Sequence, residues 1–167
     1  MQEAVPPGKG AMLAVLGLNV EEMLEQINLV SINGTCEVAN DNSPGQIVIS
    51  GDKDSVQILQ ENLKKKSIRG IILPVSAPFH CSLMKNAEKK MSQIITKSLF
   101  KDPKPSIISN VTAKAENKFN TIKELLIKQI TSRVRWRESV EYMIKNGVNE
   151  FIEIGPGKVL SGLVKRI

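Results

Sequence analysis

Between Cys36 and Ser50 two strand-like runs, CEVAN and QIVIS, flank Asp41-Asn42-Ser43-Pro44-Gly45, five residues with turn-forming chemistry. This pair of strands organises the first half of the chain, because a helical pattern and a further strand lie on each side of it. Upstream, Val20, Met23, Leu24 and Ile27 share one face of a helix predicted over residues 20–29, with Glu21, Glu22 and Glu25 on the other. Three acids early in that helix suit the positive end of its dipole. Ala11–Gly17 before it is a short apolar run closed by glycine, consistent with a buried strand. Downstream, Asp54 opens a helix to about Lys66 with Val56, Leu59 and Leu63 as its apolar stripe, and Ile68–Val75 is the next strand. The order β-α-β-β-α-β is the split βαβ, or ferredoxin-like, pattern, and it places a small domain at residues 8–72.

The remainder reads as alternating helices and strands. A helix from Ser82 to Leu99 stops before Asp102-Pro103-Lys104-Pro105, and Ser106–Val111 has strand character. Thr121 and Glu124 fit a capping box at the head of a 121–131 helix striped by Ile122, Leu125, Leu126 and Ile130. Trp136–Lys145 is another amphipathic helix, stopped by Gly147. Val148–Ile154 reads as a strand, Gly155-Pro156-Gly157 as a tight turn and Lys158–Arg166 as a closing helix. Such alternation implies parallel pairing in an α/β sheet.

Charge narrows the function classes. The formal net charge is +6 and the isoelectric point about 9.4, which favours an acidic partner. One Trp, one Tyr and four Phe provide no basic surface interleaved with aromatics for stacking on bases, so nucleic acid ranks low. No apolar run is long enough to span a bilayer. Cys36 and Cys81 match no metal-ligand spacing and read as free thiols in a reducing compartment, with the cytoplasm as the expected location.

The only histidine, His80, lies in Pro74-Val75-Ser76-Ala77-Pro78-Phe79-His80-Cys81-Ser82-Leu83-Met84-Lys85. Prolines at 74 and 78 stop a helix from running through the segment, so His80 sits on a stiff corner just before a helix begins. An imidazole there can serve as a general base or as a structural hydrogen-bonding group at a helix start. A Cys81–His80 catalytic pair is a further, weaker possibility, because neighbours in sequence rarely face each other.

The run PVSAPFHCSLMKNA resembles the histidine motif of the malonyl-CoA:acyl carrier protein transacylases. Three more segments match that family in order: NSPGQIVISG from Asn42 to Gly51, Val140-Glu141-Tyr142-Met143, and EIGPGKVL from Glu153 to Leu160. The similarity extends from Met1 to Ile167. It implies a ferredoxin-like small domain at 8–72, and at 73–167 the C-terminal part of a large α/β-hydrolase-like domain. Residues 1–7 would be the remnant of a large-domain helix, and Met1 an internal methionine. The implied activity is transfer of malonyl from malonyl-CoA to the phosphopantetheine thiol of acyl carrier protein, with no cofactor or metal.

The resemblance also assigns roles. His80 is the base of a Ser–His dyad, and Gln129 supplies the main-chain carbonyl that orients it. Asn42 lines the substrate cleft, although Asn before Ser-Pro-Gly is also ordinary turn chemistry. Phe79 crowds out an α-methyl group beside the base, or equally fills core. Arg69 and Lys66, the latter in the run Lys64-Lys65-Lys66, would dock the acidic carrier protein; such a run is also commonly a solvated helix end. Gly155-Pro156-Gly157 could aim helix N–H groups at an anion, but such turns more often let strand and helix pack closely.

One departure is large. None of Ser31, Ser43, Ser50, Ser76 or Ser82 stands in a Gly-x-Ser-x-Gly nucleophile elbow. The family's Gly-Gln-Gly-Ser-Gln segment is also absent, and its malonyl-clamping arginine would fall upstream of Met1. The resemblance therefore implies a base without its nucleophile, in a protein expected to be monomeric when complete. Two rivals are a polyketide-synthase acyltransferase domain and a non-catalytic module that binds acyl carrier protein.

Overall fold

The computed structural model describes residues 4–30, 34–75 and 77–167. Its first part is a sheet of four antiparallel strands, β1 (Gly10–Leu16), β2 (Cys36–Ser43), β3 (Gln46–Asp52) and β4 (Arg69–Ile72), in the order β2-β3-β1-β4. Helices α1 (Val20–Asn28) and α2 (Lys53–Lys65) are the two crossovers. Strand alternation decides what each face buries. Leu13 and Val15 of β1 and Ile47 and Ile49 of β3 pack with Val20, Met23, Ile27, Val56, Leu59 and Leu63 from the helices. Met12 and Ala14 of β1 and Val48 of β3 face the other way and pack with Ala39, Leu73 and Phe79. Both faces of the sheet are thus covered, one by α1 and α2, the other by the chain that follows β4.

Local chemistry sets the boundaries. Asn19 and Glu22 form a reciprocal capping box at the head of α1, each bond 2.8 Å long. The turn between β2 and β3 is shorter than its composition implies. Asp41, Asn42 and Ser43 belong to β2, and only Pro44 and Gly45 lie outside the strands. Pairing survives there because β2 shifts register between Val38 and Asn40 and again between Asp41 and Ser43. Asn42 is therefore a residue of an irregular strand, not of a loop. Strand β4 stops at Ile72, short of the predicted Val75.

The second part holds a 3-10 turn at Ser82–Met84, helix α3 (Lys85–Lys97), a hairpin of β5 (Ile107–Ile108) and β6 (Ala115–Glu116), then α4 (Phe119–Lys128), α5 (Trp136–Lys145) and α6 (Val159–Val164). Helix α5 has the predicted ends, closed by Gly147 at φ 89° with Val148 N–H donating to Met143 O and Gly147 N–H to Ile144 O. Helix α4 begins two residues before Thr121, so the expected capping box does not form. Instead the Asp102 carboxylate accepts from Phe119 N–H at 2.9 Å and from Lys118 Nζ at 3.1 Å. A parallel sheet is also not what these residues build. The 106–111 strand shrinks to a two-residue antiparallel partner of β6, and 148–154 carries no ladder, with Ile152 77% and Ile154 95% exposed. Among the described residues the one parallel contact outside named strands is Asn40 with Val134. The helix expected over residues 1–7 falls partly on residues 1–3, outside the described residues. Val5 packs with Met84, Ala87 and Ile130.

Candidate active site

The corner between β4 and α3 lies across the face of the sheet opposite α1 and α2. Gly10 of β1 makes room for it, since a Cβ there would stand 2.4 Å from Pro78 Cδ. Phe79 packs against the Met12–Ala39–Val48 cluster and also against the cluster of Val5, Met84, Ala87 and Ile130, so it links the sheet to the helical part. The Cys81 thiol donates to Pro78 O at 3.2 Å and sits near Ser50 of β3, whose buried hydroxyl has no hydrogen-bond partner among the described residues. The Ser82 N–H, 3.3 and 3.2 Å from the two carboxylate oxygens of Glu37 on β2, and the Ser82 hydroxyl both donate to that carboxylate. The corner therefore crosses the sheet, packing on β1 and β3 through Phe79 and hydrogen-bonded to β2 through Ser82.

His80 sits in the middle of this corner with φ 59°, in the left-handed region that a β-carbon disfavours. Its Nδ1 is 3.0 Å from the main-chain oxygen of Gln129. Gln129 is the C-terminal cap of α4, so its carbonyl is one of those a helix end leaves without an intrahelical donor. A carbonyl can only accept, so Nδ1 carries the proton and Nε2 is left with a lone pair. The Gln129 side-chain amide is also 3.5 Å from Nδ1, but both groups are then donors; that amide instead donates to Ser132 O at 3.3 Å. An imidazole so held can take a proton at Nε2 while the helix C-terminus faces the ring with its negative end.

The segment that carries Gln129 is fastened to the same strand. Val134 N–H donates to Ala39 O at 2.8 Å and Asp41 N–H to Val134 O at 2.9 Å. Arg137 of α5 forks onto the Asp41 carboxylate, Nε 3.2 and 3.1 Å and Nη2 2.8 Å away, and reaches Glu141 through Nη1 at 2.8 Å. These carboxylates hold the Arg137 guanidinium above its usual range, the bond to Asp41 being the largest cause.

A model of the acyl transferase domain matches residues 1–166. The chain belongs to the acyl transferase family. Within that family it is similar to the malonyl CoA-acyl carrier protein transacylase of Bacillus subtilis, 46% identical over 169 residues that cover 100% of this chain and 53% of that protein. The Escherichia coli K12 transacylase is 41% identical over 168 residues, covering 100% of this chain and 54% of that protein. Among solved structures, the Clostridium perfringens transacylase superposes with a TM-score of 0.96 at 45% identity, covering 100% of this chain and 53% of that one. A malonyl-transacylase solved in complex with a type II polyketide acyl-carrier protein gives 0.94 at 39% identity, covering 99% and 54%. The chain spans about half the length of the curated relatives it matches.

In this acyl transferase chain the other predicted site residues are dispersed. Asn42 is half-buried in β2, and among the described residues its side chain bonds neither His80 nor Gln129. Arg69 is exposed on β4, an edge strand, beside a cavity of about 400 Å³ that Lys64, Gln60 and Glu61 also line. Lys66 caps α2 and donates to Gln26 at 2.7 Å. The Cys81–His80 pair is excluded by geometry. Cys81 is fully buried with its thiol donating to Pro78 O, and burial pushes its pKa up, so it stays protonated. Sequence reasoning missed Glu37, Asp41 and Arg137. Glu37 stands between buried Cys36 and Val38, a position the strand period turns to the opposite face, and that was the available signal. Ser31 and Ser76 lie outside the described residues.

Proposed function

We propose that this chain is the C-terminal portion of a malonyl-CoA:acyl carrier protein transacylase, with His80 as the general base. The observation that carries the reading is the 3.0 Å contact from His80 Nδ1 to the Gln129 carbonyl, because it fixes the tautomer that leaves Nε2 basic. Family membership over residues 1–166 supports the same reading. In the complete protein a serine from a segment outside this sequence takes the malonyl group from CoA while Nε2 accepts the hydroxyl proton. The proton then goes to the leaving thiolate of CoA. In the second half-reaction Nε2 takes the proton of the phosphopantetheine thiol, whose sulfur attacks the malonyl-serine ester. As the ester C–O bond breaks, Nε2 returns that proton to the departing serine oxygen, restoring both serine and base. No cofactor or metal enters these steps.

The antiparallel order β2-β3-β1-β4 with two helical crossovers supports a ferredoxin-like small domain at 8–72. Residues 73–167 belong to the α/β-hydrolase-like large domain, and residues 1–7 to its preceding helix. Phe79 borders the acyl group beside the base, and Asn42 lines the cleft from β2. Arg69 and Lys66 meet the acidic carrier protein, and the excess of Lys and Arg suits that partner. No helix among the described residues is long and apolar enough to cross a membrane. We place the protein in the cytoplasm, as a monomer.

The test is malonyl transfer by the full-length protein carrying His80→Ala. Removing a positioned base lowers turnover by about 10²–10⁴-fold. Wild-type turnover in a folded variant removes His80 from the mechanism. Comparison of malonyl-CoA with methylmalonyl-CoA separates this reading from a polyketide-synthase acyltransferase.

A further inference from the structure

We propose that Glu37 is a positioning residue for His80, its carboxylate acting on β2 as a remote cap for the corner that aims the ring; this rests on the reading of His80 as the proton acceptor. The 3-10 turn at Ser82–Met84 receives no capping bond from the side chain that precedes it, Cys81. Its first N–H and the Ser82 hydroxyl are both taken by Glu37, 45 positions earlier. Those bonds act two residues from His80, on a backbone already in the left-handed region at φ 59°. Such a conformation persists only where surrounding contacts over-determine it. A carboxylate suits the task because it accepts two donors at once and both bonds are charge-assisted.

The position of Glu37 also explains why one strand is enough. It pairs with Ser50 of β3, which stands beside the Cys81 thiol, so the clamp is set into the centre of the corner's path over the sheet. Two and four residues further on, Ala39 and Asp41 hold Val134, and Asp41 holds Arg137, downstream of Gln129. Strand β2 is thus the common strut for both partners of the His80–Gln129 bond. Glu37 fixes one side of a contact whose other side is fixed by the same strand.

A long-range ¹H–¹⁵N spectrum of the labelled full-length protein, with the His80 signals identified by their loss in His80→Ala, reads this ring. The wild type is expected to show the neutral Nδ1–H tautomer, with that proton slowed in exchange. In Glu37→Ala the Nδ1–H preference and its protection are lost, while sheet amides far from β2 keep their shifts. Glu37→Gln retains an acceptor oxygen and recovers the wild-type ring signals in large part. Ser82→Ala removes only the hydroxyl donor and moves the same signals in the same direction by less. Unchanged ring signals in folded Glu37→Ala overturn the proposal; if that variant does not fold, unchanged signals in Ser82→Ala overturn it. The His80→Ala turnover test stands apart, since the ring can be positioned by Glu37 whether or not it proves to be the base.

Discussion

His80 Nδ1 and the main-chain oxygen of Gln129 meet at 3.0 Å across 49 positions of sequence. The group that orients the imidazole is therefore backbone, out of reach of a side-chain substitution. Gln129→Ala keeps that carbonyl and removes only the bond from the side-chain amide to Ser132 O. We expect it to retain turnover within about 10-fold of wild type, well short of the loss in His80→Ala. Steady-state malonyl transfer by the two full-length variants makes the comparison. Equal losses would mean that the side chain, not the carbonyl, orients the ring.

The backbone of His80 predicts a trade between stability and activity. At φ 59° a β-carbon costs about 1–2 kcal/mol that glycine does not incur. His80→Gly and His80→Ala both lose the ring, so their difference isolates the backbone term. The glycine variant is expected to be more stable by about 1 kcal/mol in urea unfolding. An alanine variant of equal stability contradicts this.

Asp41 is 1% exposed and Arg137 is its partner. Arg137→Ala leaves a buried carboxylate without its counter-charge. The expected loss is about 3 kcal/mol, the lower end for breaking a buried pair, because the Arg137 side chain is itself 28% exposed. Arg137→Lys cannot reproduce the fork and should recover little of it. Chemical denaturation of the three proteins measures both; a loss below 1 kcal/mol, less than about a single net hydrogen bond, would mean that water replaces the guanidinium.

Glu138 has a depressed pKa, chiefly through its hydrogen bond from Arg135, with Nε 3.0 and 2.9 Å from its oxygens, and with Arg133 Nη2 at 3.0 Å. A folded-state pKa below the unfolded one gives stability that is present above the unfolded value and lost as pH falls through the folded value. The loss therefore begins below the ordinary value of 4.5 and runs further into acid. Thermal melts against pH should show Glu138→Gln less stable than wild type at neutral pH, with the two curves converging in acid. A constant gap down the acid limb would rule out this ion pair as the source.

Both thiols are buried, and burial, then the Asp52 charge, pushes the Cys36 pKa up to about 12. Cys81 is raised as well, again chiefly by burial. At neutral pH neither forms appreciable thiolate, so a disulfide reagent should titrate no thiol in the native chain and two after denaturation. Rapid native labelling of Cys81 would mean that the corner around His80 opens in solution.

Sequence patterning by itself determined the first half of the fold. Val20, Met23 and Ile27, and Val56, Leu59 and Leu63, show their helical period without help from the rest of the chain, and they are what the sheet buries. It also determined that Pro74 and Pro78 keep the segment before His80 out of a helix, and that Gly147 ends α5, because both depend on backbone geometry within a few residues. Tertiary structure alone decided that Asp102 rather than Thr121 caps α4, that Asn42 lies in a bulged strand, and that 148–154 carries no ladder. Only the folded chain could join His80 to Gln129, or Glu37 to Ser82. Those bonds link groups 49 and 45 positions apart, and no local period encodes which helix-end carbonyl, or which strand carboxylate, chain reversal will bring within 3 Å or so of a donor.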